Sequence, residues 1–309
     1  MKKLRRSIIS TLKKIDSWWF PSGNPLPLAI LRCGIGVIAF FNFCLLMYYQ
    51  KDFYSESGMT TSAFAEIWGN HLIFNLLRGE TLDGLVSAVF ISGMVSALFM
   101  SVGLFSRLAT VLTAVITLTI QHRNPFIIHS GDILLKLVLI YMCFARSGAA
   151  FSFDILWRKK KPENSVPLWP QRLIAFQLAV MYFGTVFEKL LSVSWREGSA
   201  MYFVLRLEAY HRFPLPEFLT LPPMTVIATY AALIIEFSMG LAVFSKKIRN
   251  VVWPFGVCLH LGIIYTMNIP LFCELTILLY VSLFSANELK TLLSKQFLKP
   301  FMMKRSRNH

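Results

Sequence analysis

One lysine stands where its chemistry could matter. The segment Phe187-Glu188-Lys189-Leu190-Leu191-Ser192 closes a long apolar run, and Trp195-Arg196-Glu197-Gly198 follows it. The plain account of Lys189 is a boundary side chain reaching for water, with its charge favoured by a helix C-terminus. A lysine at a partly apolar boundary can also shed its proton and act as a base. Glu188 precedes it but points about 100° away on an ideal helix. Tyr182, Phe183 and Phe187 are the neighbours expected to desolvate the amine. A second cluster reads Gln121-His122-Arg123-Asn124-Pro125, then His129-Ser130-Gly131-Asp132. Asp132 can cap a following helix. Two histidines, an arginine and an asparagine are more than a turn needs. Histidines seven apart have no specific metal-ligand spacing, so no metal is expected. Arg32, Lys136, Glu236, His260 and Glu274 each fall inside an apolar run. At membrane depth such groups are costly, so they pair, reach an interface or, for a carboxyl, take up a proton.

The elements that must hold these residues follow from composition. Of 309 residues, 55% are apolar and 15% charged, where soluble domains carry roughly 45–50% and about 25%. A soluble protein cannot bury 27 Phe, 7 Trp and 13 Met with so few charges for its surface. The expected fold is all-α, a polytopic membrane bundle of about eight spanning helices with interfacial helices beside them. The apolar runs lie at 26–49, 85–105, 108–121, 133–151, 173–191, 224–244, 251–267 and 270–284. A span needs about 17–25 residues, so the third and eighth are the weakest. No internal repeat is visible. The expected organisation is a basic amphipathic N-terminus (1–25), one transmembrane domain (26–286) and a basic tail (287–309).

Charge orients that bundle. The net charge is +15. With the N-terminus inside, the inner segments collect most of the Lys and Arg, notably Arg158-Lys159-Lys160-Lys161, Lys246-Lys247-Arg249 and both termini. The outer segments hold Lys51, Arg78, Arg123, Lys189, Arg196, Arg206 and Arg212 among most of the acids. That is the positive-inside asymmetry, and it places both termini in the cytoplasm and the protein in the inner (cytoplasmic) membrane. The basic residues then face lipid, and no nucleic-acid-binding motif is present. The five cysteines lie in apolar runs with no CxxC pair, which reads as buried free thiols. Two outer segments carry bulk: an amphipathic stretch around Trp68 and the stretch from Ser194 to Pro223. The Trp68 helix and Trp195 are expected to cover the mouth of a pocket lined by Asn124 and His129.

Glu188-Lys189-Leu190, followed by Trp195 and Glu197-Gly198, resembles the active lysine segment of the vitamin K-dependent γ-glutamyl carboxylase membrane domain, of the HTTM (horizontally transferred transmembrane) family. The stretch from Arg123-Asn124-Pro125 through Asp132-Ile133-Leu134-Leu135 to Ser147-Gly148 and Phe151-Ser152-Phe153-Asp154 is similar to a second part of that family. His260 with Met267-Asn268-Ile269-Pro270-Leu271-Phe272 and Tyr280 is similar to a third. The resemblance covers roughly 26–284. It implies outward-facing chemistry in which Lys189, as a neutral amine, deprotonates a quinol. The oxidised species then acts as a strong base toward a substrate glutamate. It further implies that His260, His129, Asn124 and Trp195 orient quinone or substrate. Two departures stand against carboxylation itself: this chain lacks the carboxylases' large soluble domain, and Glu188 stands where they have a second lysine. In size the chain looks most like stand-alone bacterial SdpB-like members, which are linked to maturation of a secreted peptide toxin with a small accessory protein. The expected cofactor is therefore a reduced quinone, and the expected partners are lipid, an exported peptide and an accessory protein. The alternatives are a non-enzymatic escort for such a peptide and a small-solute transporter.

Overall fold

Every apolar run in the chain becomes a helix in the computed structural model, which describes residues 16–63, 75–79, 82–159 and 163–294, with Lys13, Ile67 and Lys161. The helices that the apolar runs form are α1 (Leu26–Tyr48), α2 (Asp83–Val102), α3 (Ser106–Arg123), α4 (Ser130–Cys143), α5 (Trp169–Leu191), α6 (Pro222–Ala242), α7 (Lys246–Thr266) and α8 (Phe272–Leu279), with shorter helices between and after them. Proline opens α1, α5 and α6 in the first turn, where its missing N–H is no loss. Other starts are capped by side chains: Ser245 accepts from Ile248 N at α7, and His129 with Asp132 forms a reciprocal box at α4. The amphipathic stretch around Trp68 lies outside the described residues. So do most of the N-terminal segment before Asp16 and the tail beyond Ser294.

Consecutive helices pack on one another from α1 through α8. The ring closes because α8 also touches α1, α4 and α5. Helices α1, α3, α5 and α7 start at one end of the bundle, and α2, α4 and α6 return to it. At that end a two-residue strand (Ser22–Gly23) pairs antiparallel with Val166–Pro167. There too Trp18 stacks on Phe244 beneath the Arg172 guanidinium, and Trp19 meets Phe176.

The chain is an all-α, polytopic membrane protein. Among the described residues, five helices (α1, α2, α5, α6 and α7) are long and apolar enough to cross a membrane. The number is six if Phe272–Leu283 and Ala286–Ser294, bent by 116°, count as one span. The expected eight is therefore not reached on these criteria, for physical reasons. Helix α3 spends much of its length on Thr110, Thr113, Thr117 and Thr119, and ends in Gln121-His122-Arg123. Helix α4 has 14 residues, a rise of about 21 Å against a hydrocarbon core of about 30 Å. The apolar run continues to Phe151, but the helix stops at Cys143 and the chain turns through Ser147–Ala149. That turn aims carbonyls at Arg32. The Arg32 side chain is fully buried and donates to Ser147 O (3.0 Å) and Phe151 O (2.5 Å), with no carboxylate partner among the described residues. The cysteines are free, but only Cys273 is buried; Cys258 is exposed on α7.

Candidate functional site

On α5, Tyr182, Val186 and Lys189 stand at helical spacing and face into the bundle. Phe187 and Glu188 point outward and are exposed. The expectation that Phe187 shields the amine is thus corrected: the position next to Lys189's partner and the position facing lipid are on opposite sides of one helix. Helix α6 lies close to α5 because Gly240 leaves room for the Phe183 ring. One turn before Gly240, Glu236 meets Lys189. The lysine Nζ donates to both carboxylate oxygens at 2.5 Å. The two side chains are 23% and 11% exposed. Lys189 does not merely reach for water; it is held in an ion pair.

Trp195 covers that pair. It sits on the short helix Val193–Arg196, with the lysine Nζ 4.7 Å from the centre of its ring. The cover is tied to α6 by Tyr230, which donates to Arg196 O (2.9 Å), and by Met201 N, which donates to Thr229 Oγ1 (3.1 Å).

Deeper in the bundle a second polar group joins three helices. The Tyr182 hydroxyl bonds His260 Nε2 at 2.9 Å and also the Tyr280 hydroxyl. His260 Nδ1 lies 3.4 Å from Cys273 Sγ. All four residues are buried. Glu236 lies within electrostatic range of both phenols, and Lys189 within range of the imidazole. The arrangement combines an ammonium–carboxylate pair near one end of the bundle with an imidazole–phenol–phenol chain, centred on Tyr182, beneath it. Buried phenols and imidazole can relay or orient a proton.

The other expected site residues divide. Trp195 and His260 join the Lys189 region. Asn124 and His129 sit in a separate polar cluster at the end of α3 and start of α4, with no hydrogen bond, ion pair or ring contact to Lys189. Asn124 donates to Phe53 O (2.9 Å) and Thr60 Oγ1 (2.8 Å). His129 Nδ1 accepts from Gly131 N at 2.9 Å. Its nearest link to the site is indirect: Gly131 abuts Phe272, whose ring meets His260 edge-on. Beside them, Arg123 bonds Glu56 at 2.6 Å. Glu274 has Arg212 at 3.9 Å, and Lys136 makes no hydrogen bond or ion pair among the described residues. Sequence reasoning named Tyr182 only as an apolar neighbour of the amine and Tyr280 only beside His260 in the family resemblance, and it missed Cys273; the hydrogen bonds that join them were not foreseen. It flagged Glu236 without its partner. The available signal was the seven-residue step from Tyr182 to Lys189, two turns along one helix face.

A polytopic bundle with a lysine centred at one end defines the class. The model of the HTTM domain matches residues 20–288. The chain belongs to the HTTM family. No curated protein and no solved structure matches it significantly.

Proposed function

We propose that this protein acts at the outer membrane face in the maturation of an exported peptide, with Lys189 as its proton-accepting residue and Glu236 as the group that sets the lysine's charge. The observation that carries the reading is the Lys189–Glu236 pair under Trp195, above the His260–Tyr182–Tyr280 chain. The excess of Lys and Arg on the opposite face supports the orientation, with both termini in the cytoplasm of the inner membrane.

The donor set suits a reduced quinone. Lys189 spends two N–H bonds on Glu236 and retains a third. Trp195 offers an aromatic face beside it. A quinol bound there would supply reducing equivalents. Lys189 would hold or take a proton at its oxygen, and Trp195 would exclude water. The test titrates a short-chain menaquinone and a short-chain ubiquinone into the purified protein and reads tryptophan fluorescence. Quenching present in the parent and lost in Trp195→Phe supports binding there; equal quenching in both removes the quinone from this site. Lys189→Arg, which keeps the charge but does not give up a proton, should abolish peptide maturation in cells while reaching the membrane normally. Full maturation in that variant ends the catalytic reading.

A second reading has its own observation. With both carboxylate oxygens on one ammonium, the pair is also a good structural lock. It favours a non-enzymatic escort for the peptide, and in that case Lys189→Arg retains function.

A further inference from the structure

At the end of the bundle away from Lys189, two cavities share a wall. The first, about 330 Å³, is lined by Arg107, Arg146, Arg158 and Lys161 with Asp154 and Glu163. The acids there are already engaged. Glu163 takes Arg146 at 2.9 Å. Asp154 accepts from Phe105 N (2.8 Å), Ser106 N (2.9 Å) and Ser106 Oγ (3.0 Å). The side chains of Arg107, Arg158 and Lys161 make no hydrogen bond or ion pair among the described residues. The second cavity, about 750 Å³, is mostly apolar, with Val102, Phe151, Phe153, Leu156 and Leu293 in its lining. Ile155 and Glu163 line both. The buried Arg32 guanidinium, which has no carboxylate partner among the described residues, links the two linings. It binds the carbonyl of Ser147, from the first cavity, and that of Phe151, from the second.

We propose that these joined cavities bind an anionic phospholipid of the surrounding membrane, with its phosphate among Arg107, Arg158 and Lys161 and an acyl chain along Phe151, Phe153 and Leu156. The basic cavity alone would suit any small anion, and the apolar one alone any hydrocarbon. Their contact, at the boundary where a helical bundle meets headgroups, selects a molecule that is both. Phe153 and Leu156 are exposed on the five-residue helix Phe153–Trp157, and Phe151 immediately precedes it. A bilayer lipid covers such surface without a partner protein.

The experiment uses the full-length protein in nanodiscs of mixed phosphatidylglycerol and phosphatidylcholine. The lipid retained after exchange into detergent is read by native mass spectrometry. Phosphatidylglycerol should be retained in preference. Arg107→Gln/Arg158→Gln should lower that preference by about tenfold or more, at about 1 kcal/mol per cation. Lys246→Gln/Lys247→Gln, two exposed cations elsewhere on the same end, should leave it unchanged. Equal loss in both doubles means diffuse charge attraction and overturns the site. Glycerol phosphate separates the remaining source. If it displaces the lipid as well as dioctanoyl phosphatidylglycerol does, the apolar cavity takes no part and the proposal fails. If only the acylated probe competes, the joined site stands.

Discussion

Lys189 and Glu236 stand 47 residues apart in sequence, and the lysine Nζ lies 2.5 Å from each oxygen of the carboxylate. The pair is a clasp between α5 and α6, and substitution can separate that role from the proton-accepting one proposed for Lys189. Removing one member leaves the other charge poorly solvated. For fully buried pairs the cost is about 3–5 kcal/mol, and partial exposure of Lys189 reduces it here. Lys189→Ala should lower the melting temperature in detergent, and Lys189→Ala/Glu236→Ala should recover part of the loss. Melting temperatures that fall additively would mean the two residues do not stabilise one another.

The buried phenols should respond unequally. Tyr182 bonds both His260 and Tyr280, whereas Tyr280 bonds Tyr182 alone among these. Tyr280→Phe therefore forfeits one hydrogen bond, worth about 1 kcal/mol. Tyr182→Phe strands two buried polar groups, at about 1–3 kcal/mol each. Thermal melts of the two variants in one detergent should rank Tyr182→Phe clearly lower. The reverse ranking would remove Tyr182 from the centre of the chain.

Gly198 fixes the Trp195 cover. Its φ is +79, and an added Cβ would come 2.9 Å from the Tyr230 ring. Gly198→Ala should cost about 1–3 kcal/mol through backbone strain and loosen the segment that carries Trp195. The expected signature is a red shift and greater quencher access of the Trp195 emission, seen as the difference from Trp195→Phe. An unchanged spectrum would show that the cover does not depend on this turn.

Asp154 supplies an acid-sensitive contact. Burial raises its pKa, but hydrogen bonds from Ser106 and Phe105, and the nearby Arg158 charge, outweigh this and hold it below the ordinary 3.8. A lowered folded-state value means that its stabilisation is present above 3.8 and fades as pH falls toward the lowered value. Amide exchange at Phe105 and Ser106, corrected for intrinsic pH dependence, should therefore rise below pH 3.8. In Asp154→Asn the same amides should show no acid step.

Hydrophobicity located α1 to α8, though not how many of them span the membrane, because apolar length is written in consecutive residues. It did not locate their ends where tertiary contacts decide. The run through Phe151 looks uninterrupted, yet the chain bends after Cys143 to satisfy Arg32. Lys189 was legible from its position and Trp195 from the short step that follows. Glu236 was legible only as a costly carboxylate, since its partner depends on which helices are neighbours. Tyr182 and Tyr280 look like ordinary membrane aromatics until α5, α7 and α8 are brought together. Asn124 and His129 had the right residue types, and the structure gives each a local role as a cap or clamp.

The Arg32 contact also imposes an order on biosynthesis. Its acceptor at Ser147 lies 115 residues downstream. At about 5–20 residues per second, that is about 6–23 s of translation during which the first helix carries a guanidinium without its native acceptors. Over that interval α1 must keep Arg32 near the headgroups or inside the insertion machinery. Its final seating waits for the turn after α4 and is not completed by the first hairpin.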